Sequence, residues 1–126
     1  MKAYKVFRKA APKSPRSLVG GDIEIIYKTN KVNYPKKGTK LFCFRNKKSA
    51  IRYAKEFFST EVWKIDVDEL AFAPLKMVNR FISLPEFRSK VWENGNLSED
   101  IEGASYEILP PDTYLCGELK LVQKVW

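Results

Sequence analysis

Apolar and polar positions trade places every second residue in several short stretches of this chain, and strands are the elements this pattern predicts. "AYKVFR" (3–8) is the first. In "DIEIIYKT" (22–29), Ile23, Ile25 and Tyr27 face one way and Glu24 and Lys28 the other. "KLFCFR" (40–45) is apolar enough for the middle of a sheet. "VWKIDVD" (62–68) alternates again, with Trp63, Ile65 and Val67 opposite Lys64, Asp66 and Asp68. Two or three strands close the chain around "SYEIL" (105–109) and "YLCGELKLVQKVW" (114–126), separated by the turn "LPPDT", with a bulge expected at Gly117.

The period changes to that of a helix in two places. Over 47–58, Ala50, Ile51, Ala54, Phe57 and Phe58 form one apolar stripe, Asn46 stands where a cap belongs, and Lys48, Arg52 and Lys55 take the wet face. A second helix starts at "SLPE", with Ser83 as cap, Pro85 in the first turn and Glu86 at the capping-box position. It packs Phe87 and Val91 inward and stops at Gly95. The expectation is an α+β single domain over 1–126, with a mixed or antiparallel sheet of about five to seven strands and two main helices.

Composition narrows this reading. A hydrophobic share of 44% in 126 residues fills one core and argues against wholesale disorder. The longest uncharged apolar run, "LAFAPL", is far short of the roughly 20 residues that cross a bilayer. The opening "MKAYKVFRKAAPKSPR" lacks the apolar core of a signal peptide. Cys43 and Cys116 each lie in an apolar strand and read as reduced, buried small hydrophobes, which fits a cytoplasmic protein.

Charge changes the picture most. The net is +8, yet residues 1–60 hold sixteen Lys and Arg against three acids, and residues 61–126 hold seven against twelve. Such asymmetry suits an anionic partner: a nucleic acid, a nucleotide or an acidic protein surface. Interleaving of the two halves in the fold would neutralise part of it. "YKTNKVNYPKKGTK" (27–40) carries Lys28, Lys31, Lys36, Lys37 and Lys40 with no acid, and Tyr27 and Tyr34 offer rings for stacking. Arg45, Lys47 and Lys48 then crowd the start of the first helix, where the dipole favours anions. A bound phosphate or carboxylate would satisfy them, with Arg52 and Lys55 further along. Solvated lysines turned away from the helix end are the other reading.

Catalytic signals are few. No histidine is present, which removes the commonest general base and the usual metal ligand. Two cysteines 73 apart make no zinc site, and Asp66, Asp68 and Glu69 read as the wet side and exit of a strand before they read as a cation site.

The order "YKVFR", "LFCFRNKKSAIRYA", "VWKIDVDE", "YEILPPDTYL" resembles the small ADP-ribosyltransferase-type scaffold. The resemblance implies Arg8 as the residue gripping a nicotinamide nucleotide, Asn46 beside it, Glu107 as the catalytic glutamate and NAD as cofactor. Arg45 and Asn46 replace that family's Ser/Thr cluster, and Ser105 stands where a paired glutamate would. The resemblance therefore implies a degenerate, non-catalytic form before an active enzyme. The small size and unadorned start also resemble small phage and mobile-element proteins, some of which bind nucleotides or block host nucleic-acid defences. Two expectations follow: a non-enzymatic module engaging an anion through its basic half, or an ADP-ribosyltransferase-like nucleotide binder.

Overall fold

The structure, a computed structural model, describes residues 1–9, 25–35, 40–72 and 110–126, together with the backbone of 76–80 and 105–108. The second predicted helix, at 83–95, lies outside the described residues, as do Lys36 and Lys37.

Seven strands form one antiparallel sheet in the order β2-β9-β4-β1-β3-β8-β5. They are β1 (Lys2–Arg8), β2 (Val32–Asn33), β3 (Leu41–Phe44), β4 (Thr60–Val67), β5 (Ala71–Phe72), β8 (Thr113–Cys116) and β9 (Leu119–Lys124). β6 (Lys76–Arg80) and β7 (Ser105–Ile108) pair separately as a two-stranded ribbon. One helix, α1 (Lys47–Ala54), is present among the described residues.

β1 is the axis of this arrangement. It runs antiparallel to β4 from Lys2↔Asp66 to Arg8↔Thr60, and antiparallel to β3 at Tyr4↔Phe44. β3 and β4 are therefore parallel to each other with β1 between them, and α1 is the crossover that joins them. It packs on one face of β1, β3 and β4. Val6, Phe44 and Val62 of the sheet meet Ala50 and Ala54 of the helix there, and the small alanines let the two layers approach closely.

The opposite face carries the larger core. Ala3, Phe7, Leu41, Ile65, Leu119 and Leu121 are all buried in it, as are Cys43 and Cys116. Five strands contribute to this one cluster because the sheet is curled, and chain length shows why. β8 and β9 stand four places apart in the strand order, roughly 19 Å across a flat sheet at about 4.8 Å per step. Only Gly117 and Glu118 join them, and three peptide units reach about 11 Å at most. The strand bends there and passes from pairing with β3 to pairing with β4. Such a bent strand is a common way to turn a sheet corner. Asp68, just past β4, holds the bend: its Oδ1 accepts the N–H groups of Gly117 (3.0 Å) and Glu118 (3.1 Å). A Cβ on Gly117 would stand 2.8 Å from the other carboxylate oxygen. Gly117 is thus the corner residue between two strands, where the sequence suggested a bulge.

Three local expectations are corrected. The predicted strand at 22–29 is described only from Ile25 onward, where Ile26 makes an isolated bridge and the ladder strand is β2 further on. Tyr27 does face inward, at 1% exposed, against the Phe7 ring at 4.7 Å. It is a core residue and offers no stacking surface. Third, the helix predicted over 47–58 stops at Ala54, so Phe57 is 38% exposed and Phe58 99% exposed. The register of β4 explains this: Thr60 must lie opposite Arg8, so the chain has to turn before it, and Ser59 does so at φ 54°. The buried Thr60 hydroxyl then donates to the Ala54 carbonyl at 2.8 Å and closes the helix end.

Ile65→Ala should cost about 2–5 kcal/mol in a denaturant titration, as a buried aliphatic truncation does. Phe58→Ala should stay within about 0.5 kcal/mol; equal effects would contradict this division of the apolar residues. A double-mutant cycle tests the corner. Gly117→Ala should destabilise by about 1–3 kcal/mol through overpacking, and most of that cost should vanish in an Asp68→Ala background.

Candidate functional site

The residues singled out by charge fall into two groups. Lys28, Lys31 and Tyr34 are exposed and flank β2 at one edge of the sheet. Their loop is tied down by Asn33, a buried residue the sequence reading passed over. Its side chain accepts the Lys28 N–H (2.8 Å) and donates to the carbonyls of Lys28 and Lys31, both at 3.0 Å. Lys40, preceding β3, pairs with Glu69 at 3.7 Å.

The second group rides on α1. Arg45, Lys47, Lys48, Arg52 and Lys55 are all exposed. No carboxylate among the described residues forms an ion pair with any of them. No acid stands in the first turn of the helix. β2 lies at one edge of the sheet, four places from β3 in the strand order, and α1 packs on β1, β3 and β4.

The start of α1 has its own anion. Asn46 has the extended backbone of a cap but makes no side-chain capping bond. Its backbone N–H donates instead to Asp112 Oδ2 at 2.6 Å, and the Arg45 N–H donates to the Asp112 carbonyl at 3.4 Å. Asp112 is placed by the turn before β8, at φ 70°, a conformation Asp tolerates better than most residues. A carboxylate near a helix N-terminus is the favourable sign of charge. Sequence reasoning sought that anion in a ligand; the chain supplies it 66 residues downstream.

Of the residues implied by the ADP-ribosyltransferase resemblance, Arg8 and Asn46 are held apart. Arg8 ends β1 opposite Thr60, beyond the C-terminal end of α1, while Asn46 precedes α1 near the other end of β1. Four strand residues, about 13 Å, separate Arg8 from Tyr4, which pairs with Phe44 two residues before Asn46. Glu107 pairs with Met77 in the separate ribbon. The structure does not bring Arg8 and Asn46 together.

The acids once weighed as a cation site have other partners. Asp66 pairs with Lys2 (3.7 Å) and with the N-terminal ammonium (3.1 Å), and these contacts hold its carboxyl below the usual range. Asp68 serves the corner and Glu69 pairs with Lys40. No cluster of three or more metal-ligating side chains occurs among the described residues.

An unforeseen constellation lies in the curled core. Lys5 shares a face of β1 with Ala3 and Phe7, and it is 9% exposed. Its Nζ donates to the Phe42 carbonyl and lies 5.9 Å from the Phe7 ring centroid and 5.8 Å from that of Tyr27. Cys43 and Cys116 are buried in the same core, both free. Burial pushes the Lys5 amine below its ordinary value. The interaction of the two thiols pulls Cys43 down and, with burial, pushes Cys116 up. Period-two alternation places Lys5 inward and could have revealed it; a lysine is seldom read that way.

Compared with protein-family models, curated proteins and solved structures, the chain matches none.

The Lys5 shift gives a signed expectation. Below its folded pKa the core must hold an ammonium; between that value and the unfolded one near 10.5, the unfolded chain binds the extra proton. Stability therefore rises with pH across this window. The Cys43 thiol is shifted as well, so the comparison with Lys5→Met isolates the lysine. The variant should be the more stable at neutral pH, and its advantage should shrink toward pH 10. Urea titrations across this range check it; a constant difference would mean Lys5 does not titrate with folding.

Proposed function

We propose that the protein is a non-enzymatic binding module that docks the outer face of α1 on the phosphates of a nucleic acid. One observation carries this reading: Arg45, Lys47, Lys48, Arg52 and Lys55 are exposed together without a carboxylate ion-pair partner among the described residues. Three cations elsewhere do meet acids, Lys2 with Asp66, Lys40 with Glu69 and Lys124 with Glu61. Lys28 and Lys31 at the β2 edge are exposed without such a partner among the described residues, but do not gather on one helix. The α1 cations line a helix of eight residues, about 12 Å long at 1.5 Å per residue. A spread of that kind suits a row of phosphates better than one convergent nucleotide site. Asp112 already serves the start of the helix, so in this reading the side chains bind the phosphates and the backbone amides do not.

Fluorescence anisotropy with a labelled oligonucleotide duplex and single strand, repeated over a range of salt, tests the proposal. Each phosphate contact on duplex DNA contributes about −0.9 to the slope of log affinity against log salt. Lys47→Gln with Lys48→Gln should flatten that slope by up to about 1.8. Stability should move by less than about 0.5 kcal/mol, as surface changes do. An unaltered affinity in the double variant would overturn the reading, as would binding to mononucleotides or an acidic protein but to no oligonucleotide.

A further inference from the structure

We propose that Cys43 and Cys116 form a two-coordinate site for a soft monovalent cation, Cu(I) in chemical class, with Lys5 as its buried charge partner. The strand register is the first ground. On β3 and β8, Cys43 stands opposite Tyr114 and Cys116 opposite Leu41, so the cysteines are diagonal neighbours on the inward face. Diagonal Cα atoms in an antiparallel pair lie about 7–8 Å apart, at or past the roughly 7 Å beyond which a disulfide needs backbone movement. Both side chains are nevertheless buried in the same core cluster, at 1% and 0% exposed. Bridging by a metal asks for a modest separation of the sulfurs, about 4.6 Å for two bonds of about 2.3 Å. A disulfide asks for contraction to about 2.05 Å. The register favours the metal.

Charge is the second ground. Two thiolates and a monovalent ion leave the centre at −1, and both S–H protons depart as the two metal–sulfur bonds form. Lys5 brings a positive charge to the same dry core, where its amine has one carbonyl, Phe42, and two aromatic faces for company. A divalent ion would leave the centre at zero and make the Lys5 charge uncompensated. It would also find two ligands where Zn(II) takes four. Soft thiolates in such a pair select Cu(I).

Anaerobic titration of the metal-free protein against the coloured Cu(I)–bicinchoninate complex tests the site. One Cu(I) should be withdrawn per chain, and both thiols should become protected from alkylation, as read by mass spectrometry. Cys43→Ser and Cys116→Ser should each abolish withdrawal, and Lys5→Met should weaken it at least tenfold. Because a core serine can unfold the chain, circular dichroism accompanies each variant, and thiol protection in the unaltered protein gives an independent readout. No withdrawal by the folded protein overturns the proposal. So does withdrawal that leaves the thiols reactive, or that survives in a folded cysteine variant. Formation of an intramolecular disulfide with diamide, without any Cu(I) uptake, also overturns it.

Discussion

Two residues, Gly117 and Glu118, must carry the chain between strands that a flat sheet would hold far apart, and the rest of the structure follows from that short connection. The sheet has to curl, and curling turns its inner face into an enclosed core shared by five strands. Asp68 makes the bend tenable by accepting both backbone amides at the corner. Hydrogen bonds to a charged acceptor contribute about 1.5–3 kcal/mol each, so this carboxylate matters more than any ion pair on the surface. Because the core is enclosed, the Lys5 amine finds its acceptor inside the protein, at the Phe42 carbonyl.

The helix presents the opposite electrostatic situation. Its inner face is fixed by small residues; Asp112, remote in sequence, accepts the Asn46 N–H at its start, and the nearby Thr60 hydroxyl donates to the Ala54 carbonyl at its end. Among the described residues its outer cations form no ion pair, and this separates them from Lys40, which meets Glu69.

Much of the sheet was legible in the sequence because alternation survives wherever one face is buried and the other wet. β1, β3, β4 and the closing pair β8 and β9 fall close to their expected places, and Ile65 and Val67 face inward as their spacing implies. Legibility failed where the deciding partner was remote. The apolar spacing of residues 47–58 reads as one helix, yet Arg8 fixes where Thr60 must lie and cuts the helix short. Tyr27 looked like a stacking ring because its neighbours are lysines; its burial depends on Phe7, twenty positions earlier. The helix-start cations pointed to an anion, and the sequence could not show that Asp112 would arrive there. Lys5 was hidden by its own residue type.

β1 sits between two strands that the chain delivers much later. Its partners Phe44 and Thr60–Asp66 follow it by about forty to sixty positions. The bent strand that encloses the core comes only at 113–124. The apolar side of β1 is therefore covered only once segments about forty to sixty positions later have been brought to it. Nearly all pairing is long-range, an organisation that folds slowly because loop closure precedes any reward from contact. Unpaired, β1 carries Lys2, Lys5 and Arg8 spaced along it. Folding takes one of them, Lys5, into the interior, where its charge must be accommodated in the finished core.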